Sequence, residues 1–331
     1  MNSSISKEEN QLFNSNKPIR EVGVDIAKGI GILLVVWGHN KCPLGKEIFA
    51  FHMPLFFLIS GFFLKDEALK VFLYKKFRTL IVPCLFFWSV FFIIGTPLLF
   101  YRDKNLFFSR LSDNTLFYFS TVDSSLWFLV ALWWSLVFAF IIIHFIKPSK
   151  WWCRILFVIG LFLFGYWLSY TGNSFFYITQ GLIALPFVLI GRYFYMYKNS
   201  INLYILFTLS LVIFLLSLKL WKPIINLSIL TLPDNPIEYL IPSLSGSFMI
   251  ISFSLLINKP KYIGKVLSSL GVMSIFIMAL HGGIEPFIRP IYNYMNNDWA
   301  YSLMATSLQV ILSYFIGLCL KRYLPRLFSY K

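Results

Sequence analysis

Apolar runs of about twenty residues, long enough to cross a bilayer as helices, recur from one end of this chain to the other. Short segments rich in Lys, Arg, Asn, Pro and Gly separate them. The pattern predicts ten spans, near residues 22–40, 48–64, 78–100, 125–146, 154–170, 175–196, 202–221, 240–257, 268–288 and 300–320. A polar segment, 1–20, precedes them, and a basic one, 322–331, follows. The expected organisation is a cytoplasmic tail (1–20), a membrane domain (21–321) and a second cytoplasmic tail (322–331). No cleavable leader is expected, because the first apolar run starts late and lacks a small-residue cleavage site.

Charge tests that topology. With the amino terminus in the cytoplasm, 20 of the 29 basic residues fall on inner segments, 8 fall on outer loops and span ends, and Lys28 lies within the first span. The bias obeys the positive-inside rule and places both termini in the cytoplasm. Fold class follows: an all-α polytopic integral membrane protein of about ten transmembrane helices. At 58% hydrophobic residues and a mean hydropathy of +0.72, a soluble domain is excluded. The net charge of +15 is scattered between spans, so no nucleic-acid partner is expected. Four cysteines, Cys42, Cys84, Cys153 and Cys319, show no paired ligand spacing and predict neither a metal site nor a disulfide framework.

The chemistry concentrates in the first two spans. Asp25, Lys28 and His39 interrupt an otherwise apolar helix, and ionisable groups in a membrane span are costly enough to suggest function. Lys28 and His39 are eleven residues apart, which places them on one helical face about 16 Å apart in height. Asp25 is within i,i+3 reach of Lys28. Gly29 and Gly31 would admit another helix or a ligand close to the backbone. His52 begins the second span at the height of His39, and His281 lies about two-thirds of the way across an outward-running helix. Depth alone therefore lets three imidazoles converge in the outer half, with plain interhelical hydrogen bonds as the alternative use for His52 and His281. Glu285 and Arg289, four apart, form either part of an acceptor cleft with His281 or a structural ion pair.

Asp25-Ile26-Ala27-Lys28-Gly29-Ile30, Val35-Val36-Trp37-Gly38-His39 and Phe51-His52-Met53-Pro54-Leu55-Phe56-Phe57-Leu58-Ile59-Ser60-Gly61 together resemble the amino-terminal signature of the membrane-bound acyltransferase family 3, in particular its sugar O-acetylase branch of fucose 4-O-acetylase-like proteins. Fainter echoes occur at Lys75-Lys76-Phe77-Arg78, at Leu126-Trp127-Phe128-Leu129 and at His281. Many members of the family have Arg where this chain has Lys28, which keeps the charge and loses the planar fork.

The resemblance implies a bacterial inner-membrane enzyme, with acetyl-CoA as cytoplasmic donor and a carbohydrate hydroxyl outside as acceptor. On that basis an O-antigen or capsule sugar is the expected acceptor. An exopolysaccharide, a lipid-linked intermediate or a small molecule is the alternative. A secondary transporter is a reading of another class, weakened by the lack of a duplicated half. The polyanionic donor is expected on the basic cluster Lys75, Lys76 and Arg78, placed between the second and third helices, with plain topology anchoring as the alternative use, and Lys28 is expected to guide the donor's arm inward. His39 is expected as general base, or as the site of a transient acetyl-imidazole. Asp25, too far along the helix to orient His39, pairs with Lys28 or Arg20. Ser60 or His52 stabilises the tetrahedral intermediate, although Ser60-Gly61 also reads as a tight helix contact. Trp127 belongs to an interfacial aromatic belt or stacks on a sugar ring.

Overall fold

The computed structural model describes residues 21–112, 124–172, 175–257, 262–295 and 297–328. Among these there is no β-strand, only an isolated antiparallel bridge between Asn226 and Thr231. The helices are α1 (Val22–His39), α2 (Gly45–Phe49), α3 (His52–Phe62), α4 (Leu69–Lys76), α5 (Val82–Arg102), α6 (Lys104–Ser112), α7 (Trp127–Phe145), α8 (Trp151–Tyr170), α9 (Ile178–Tyr197), α10 (Leu203–Trp221), α11 (Pro236–Leu256), α12 (Tyr262–Val272), α13 (Ser274–Ile288), α14 (Asp298–Tyr323) and α15 (Pro325–Phe328). Eight stretches among the described residues are long and apolar enough to span a bilayer, and a ninth if the bent pair α12–α13 counts as one. The chain is an all-α polytopic membrane protein.

Several expected spans take a different form. The second, expected at 48–64, is α3, with eleven residues and a length of about 16 Å. The third starts nine residues early. Through a π-helical turn at Phe77–Ile81, α4 runs on into α5, so the candidate span is Leu69–Tyr101. Lys75, Lys76 and Arg78 are therefore on helix and not in a loop. The ninth is broken at Met273, where α12 and α13 meet at 75°. The loop expected at 101–124 contains α6, while Asp113 and Asp123 lie outside the described residues, as does the tail 1–20. Helix α14 continues to Tyr323, into the expected second tail.

Helix ends show why the chain breaks where it does. Asn202, Asn235 and Asn297 accept from the first free N–H groups of α10, α11 and α14, the usual role of a short amide at an N-cap. Arg154 donates to the Ile143 and Ile146 carbonyls at the end of α7. Arg192 donates to the Leu64 carbonyl just past the end of α3. Each guanidinium satisfies a carbonyl that has run out of helical partners and sits at the negative end of the helix dipole.

Inside, α1 is surrounded by α3, α11, α12, α13 and α14, while α8 and α10 lie on the lipid-facing periphery. Lipid offers no hydrophobic force to press one helix against another, so close backbone approach supplies the attraction. Two reciprocal glycine contacts provide it. A Cβ on Gly29 would meet the Leu267 carbonyl of α12 at 1.9 Å, and one on Gly271 would meet the Asp25 carbonyl at 1.8 Å. Between α3 and α9, Gly61 faces Val188 and Gly191 faces Leu58 in the same way, each at 1.9 Å. Gly61 thus serves the tight helix contact.

These contacts make a sharp prediction. Gly271→Val should cost about 3 kcal/mol or more and lower the detergent melting temperature by several degrees. Gly160→Ala, where nothing lies within 4 Å of the added carbon, should leave it nearly unchanged. Thermal unfolding of the two purified variants checks the contrast.

Candidate active site

The two ends of α1 open onto different cavities. Near its start lies a cavity of about 560 Å³, bordered on α1 by Val24, Asp25 and Lys28 and on α3 by Phe56, Ile59 and Ser60. Its remaining walls are largely apolar. Lys28 Nζ stands 3.6 Å from Asp25 Oδ1 and 4.8 Å from the centre of the Phe63 ring, so the cation has both a carboxylate and a π face. At the rim, Lys198 pairs with Glu21 at 2.6 Å and covers the Tyr195 ring.

At the other end, His39, His52 and His281 come together. The His39 ring centre is 5.4 Å from that of His281 and 6.4 Å from that of His52, and Phe49 packs edge-on against both His39 and His52. Backbone hydrogen bonds fix two of these rings. His52 Nδ1 is 2.9 Å from the Ile48 carbonyl, and His281 Nδ1 is 2.8 Å from the Met278 carbonyl and 3.1 Å from that of Ile277. A carbonyl only accepts, so Nδ1 carries the proton in both. When neutral, each ring therefore presents Nε2 as an acceptor. His39 differs: it is exposed, and no side-chain hydrogen bond holds it among the described residues. A cleft of about 20 Å³ beside it is bordered by His39, Phe49, His52, Met53, Trp127 and Asn226.

Neighbouring segments hold this end in place. On α11, Ser243 donates to the Ala50 carbonyl and Ser247 to that of Phe51, pinning the turn that delivers His52. The last turn of α1 is tied to α14. Trp37 Nε1 donates to Ser302 Oγ at 3.2 Å, Asn40 Nδ2 donates to Gln309 Oε1 at 2.9 Å, and Gln309 Nε2 returns a bond to Asn40 Oδ1 at 3.1 Å. Asn40 and Gln309 are 2% and 1% exposed, so the pair is an amide lock sealed from solvent beside His39. Sequence reasoning missed it. The available signal was Ser302, Thr306 and Gln309 at helical spacing on an apolar span.

The structure brings some expected site residues together and keeps others apart. Asp25, Lys28 and Ser60 share the first cavity; His39, His52 and Trp127 border the second, and the buried His281 ring packs against His39. Glu285 lies beyond them, 3.8 Å from Arg289, against a third cavity. Lys75, Lys76 and Arg78 line none of these. Lys75 pairs with Glu67, Lys76 lies 5.8 Å over the Phe72 ring, and Arg78 donates to the Arg326 carbonyl. Ser60 donates to the Phe56 carbonyl at 2.7 Å and faces the Lys28 cavity, so it is not beside His39 to steady an oxyanion. Neutral His52 has no proton on Nε2 to offer one. Burial pushes the Cys42 thiol up, so it is not poised as a thiolate nucleophile. No three His, Cys, Asp or Glu side chains among the described residues form a metal-binding group.

One helix of this membrane body thus carries a half-buried cation near its start and an imidazole cluster at its far end. A family model of the acyltransferase domain of acyltransferase family 3 matches residues 21–321, and the chain belongs to that family. Nodulation protein NolL of Mesorhizobium japonicum (strain LMG 29417 / CECT 9101 / MAFF 303099) is 28% identical over 153 residues. That match covers 40% of this chain and 38% of the relative. No solved structure matches.

Breaking the amide lock tests its contribution. Gln309→Leu removes the donor to buried Asn40 Oδ1, while Asn40 Nδ2 keeps the Val36 carbonyl and the Thr306 hydroxyl, and should cost about 1–3 kcal/mol. Asn40→Leu/Gln309→Leu, which removes both polar groups, should cost less than the sum of the single changes. Melting temperatures of the three variants give the coupling.

Proposed function

We propose that the protein is an acetyl-CoA-dependent O-acetyltransferase of the bacterial inner membrane that modifies a hydroxyl of a surface polysaccharide sugar, an O-antigen or capsule unit. One observation carries this reading: a single helix, α1, presents Lys28 to one cavity and His39 to a separate cleft, about 16 Å apart in height. The Lys28 cavity is assigned to the cytoplasm and the His39 cleft to the outside, with both termini in the cytoplasm as the charge bias indicates.

The Lys28 cavity suits the donor's arm. Its apolar walls accept a slender pantetheine chain, and Lys28, held by Asp25, supplies a cation for an amide carbonyl or phosphate oxygen. Extended along α1, the arm brings the thioester toward His39. Neutral His39 takes the proton from the sugar hydroxyl as its oxygen attacks the thioester carbonyl. The tetrahedral intermediate collapses with cleavage of the C–S bond, and the departing thiolate takes up the proton held by His39. The Nε2 atoms of His52 and His281 accept hydrogen bonds from the acceptor's hydroxyls or from the protonated His39 ring. Trp127, in the cleft wall, offers an indole edge or face to the sugar.

The test is transfer of radiolabelled acetyl groups from acetyl-CoA to host polysaccharide by purified protein in lipid nanodiscs. His39→Ala should reduce turnover by about 10²- to 10⁴-fold. Lys28→Met should raise the KM for acetyl-CoA about tenfold or more, with a smaller effect on turnover. Full transfer by His39→Ala would remove the imidazole from the mechanism.

A further inference from the structure

Beyond the His39 end of α1 lies the third cavity, of about 780 Å³, which the reaction described above does not use. Among the described residues, Lys41, Arg110 and Arg289 line it together with one carboxylate, Glu285. Its position is set by two helices that also carry histidines. Lys41 lies two residues past His39. Glu285 lies four residues past His281 on α13, one turn or about 6 Å further along the same face.

The cations are held toward this space. Lys41 has a left-handed backbone, φ 51°, which a residue with a side chain adopts only where its surroundings hold it there. Its ammonium rests 3.4 Å from the centre of the Tyr292 ring, and the Tyr292 hydroxyl donates to Asp298 at 2.9 Å, so both ring and carboxylate are committed. Glu285 offsets only part of the charge. Its closest approach to Arg289 is 3.8 Å at Nε, beyond hydrogen-bond distance, and the Arg289 side chain is 69% exposed. Lys41 and Arg289 repel each other across this cavity, and an anion that joins them relieves the repulsion. Guanidinium groups bind carboxylate and phosphate through paired hydrogen bonds.

We propose that this cavity binds an anionic group of the acceptor, a sugar carboxylate or a phosphate, and so selects acidic over neutral glycans. The inference rests on the acyl-transfer reading for the identity of the bound molecule as acceptor. One helical turn separates the cavity from the imidazoles, so an anion anchored by Arg289 and Lys41 puts the hydroxyl of the same or the adjoining sugar at His39.

Binding can be measured without any transfer. The full chain in phosphatidylcholine nanodiscs would be titrated calorimetrically with trigalacturonate, glucose 1-phosphate and neutral maltotriose, at low and at moderate salt. At least one anionic probe should bind, should weaken as salt rises, and should bind at least about tenfold more weakly to Arg289→Gln and to Lys41→Gln. Maltotriose should bind more weakly than that anion. Tighter binding of trigalacturonate assigns the site to a uronic acid, and tighter binding of glucose 1-phosphate assigns it to a phosphate. The proposal is overturned if neither anion binds, if maltotriose binds as well as both, or if folded Arg289→Gln and Lys41→Gln, judged by their melting temperatures, bind as the parent does. Failure of acetyl transfer is a separate result, because this titration involves neither acetyl-CoA nor His39.

Discussion

A charged lysine within an apolar helix is tolerable only with a carboxylate in reach and a route to polar surroundings, and the organisation around α1 follows from that requirement. Asp25, one turn away, supplies the carboxylate. The cavity supplies the route. Backbone contact at Gly29 and Gly271 then brings α12 against the same turn, so the helix that carries the charge is also one of the most tightly gripped. At the opposite end the grip changes in kind. There the amide lock to Gln309 and the Trp37–Ser302 bond fix α1 through directional hydrogen bonds. Packing at one end and polar bonding at the other fix α1, and His39 is the one of the three clustered histidines whose ring has no side-chain hydrogen bond among the described residues.

The short α3 belongs to the same logic. An eleven-residue helix cannot cross the full hydrocarbon core of about 30 Å. It suffices here because its two ends face cavities: it starts at His52 beside the histidine cleft, and Phe63, the residue that caps its end, lies against Lys28. The Arg192 bond to the Leu64 carbonyl satisfies an orphaned acceptor that would otherwise lie at membrane depth. A full-length helix in this place would fill one of the two cavities.

What the sequence made legible was whatever depends linearly on residue number. Rise along a helix is such a quantity, so the heights of Lys28, His39, His52 and His281 were readable, and the three imidazoles meet. The i,i+3 pairing of Asp25 with Lys28 is of the same sort, and so is the class of fold, since apolar runs of span length need no tertiary knowledge. Rotations and breaks were not readable. Nothing in the hydropathy of 268–288 signals a 75° bend at Met273, and Lys75, Lys76 and Arg78 look like a loop cluster because charge ordinarily marks a span's end. Here the helix runs through them, with Glu67, the Phe72 ring and the Arg326 carbonyl as partners that lie nearby only in the folded chain. The Asn40–Gln309 pair escaped for a similar reason: a sequence separation of 269 residues leaves no local trace of who bonds to whom.

The layer that divides the two cavities matters as much as the cavities. On α3, Phe56 borders the Lys28 cavity and Met53 borders the histidine cleft, and on α7 the neighbours Phe128 and Trp127 divide in the same way. Less than one helical turn of apolar side chains thus separates the two sides. With the sidedness proposed above, the enzyme must not pass ions between the two faces of the membrane, and a thin dry layer prevents this because an ion stripped of water there has no compensating partner. A thin layer is also easily parted. Met53 and Met278 contribute unbranched side chains with several rotatable bonds, able to change rotamer without moving the backbone that the glycine contacts hold. In the proposed reaction the narrow donor arm parts this layer, fills the gap it makes, and keeps the barrier closed to water while it does so.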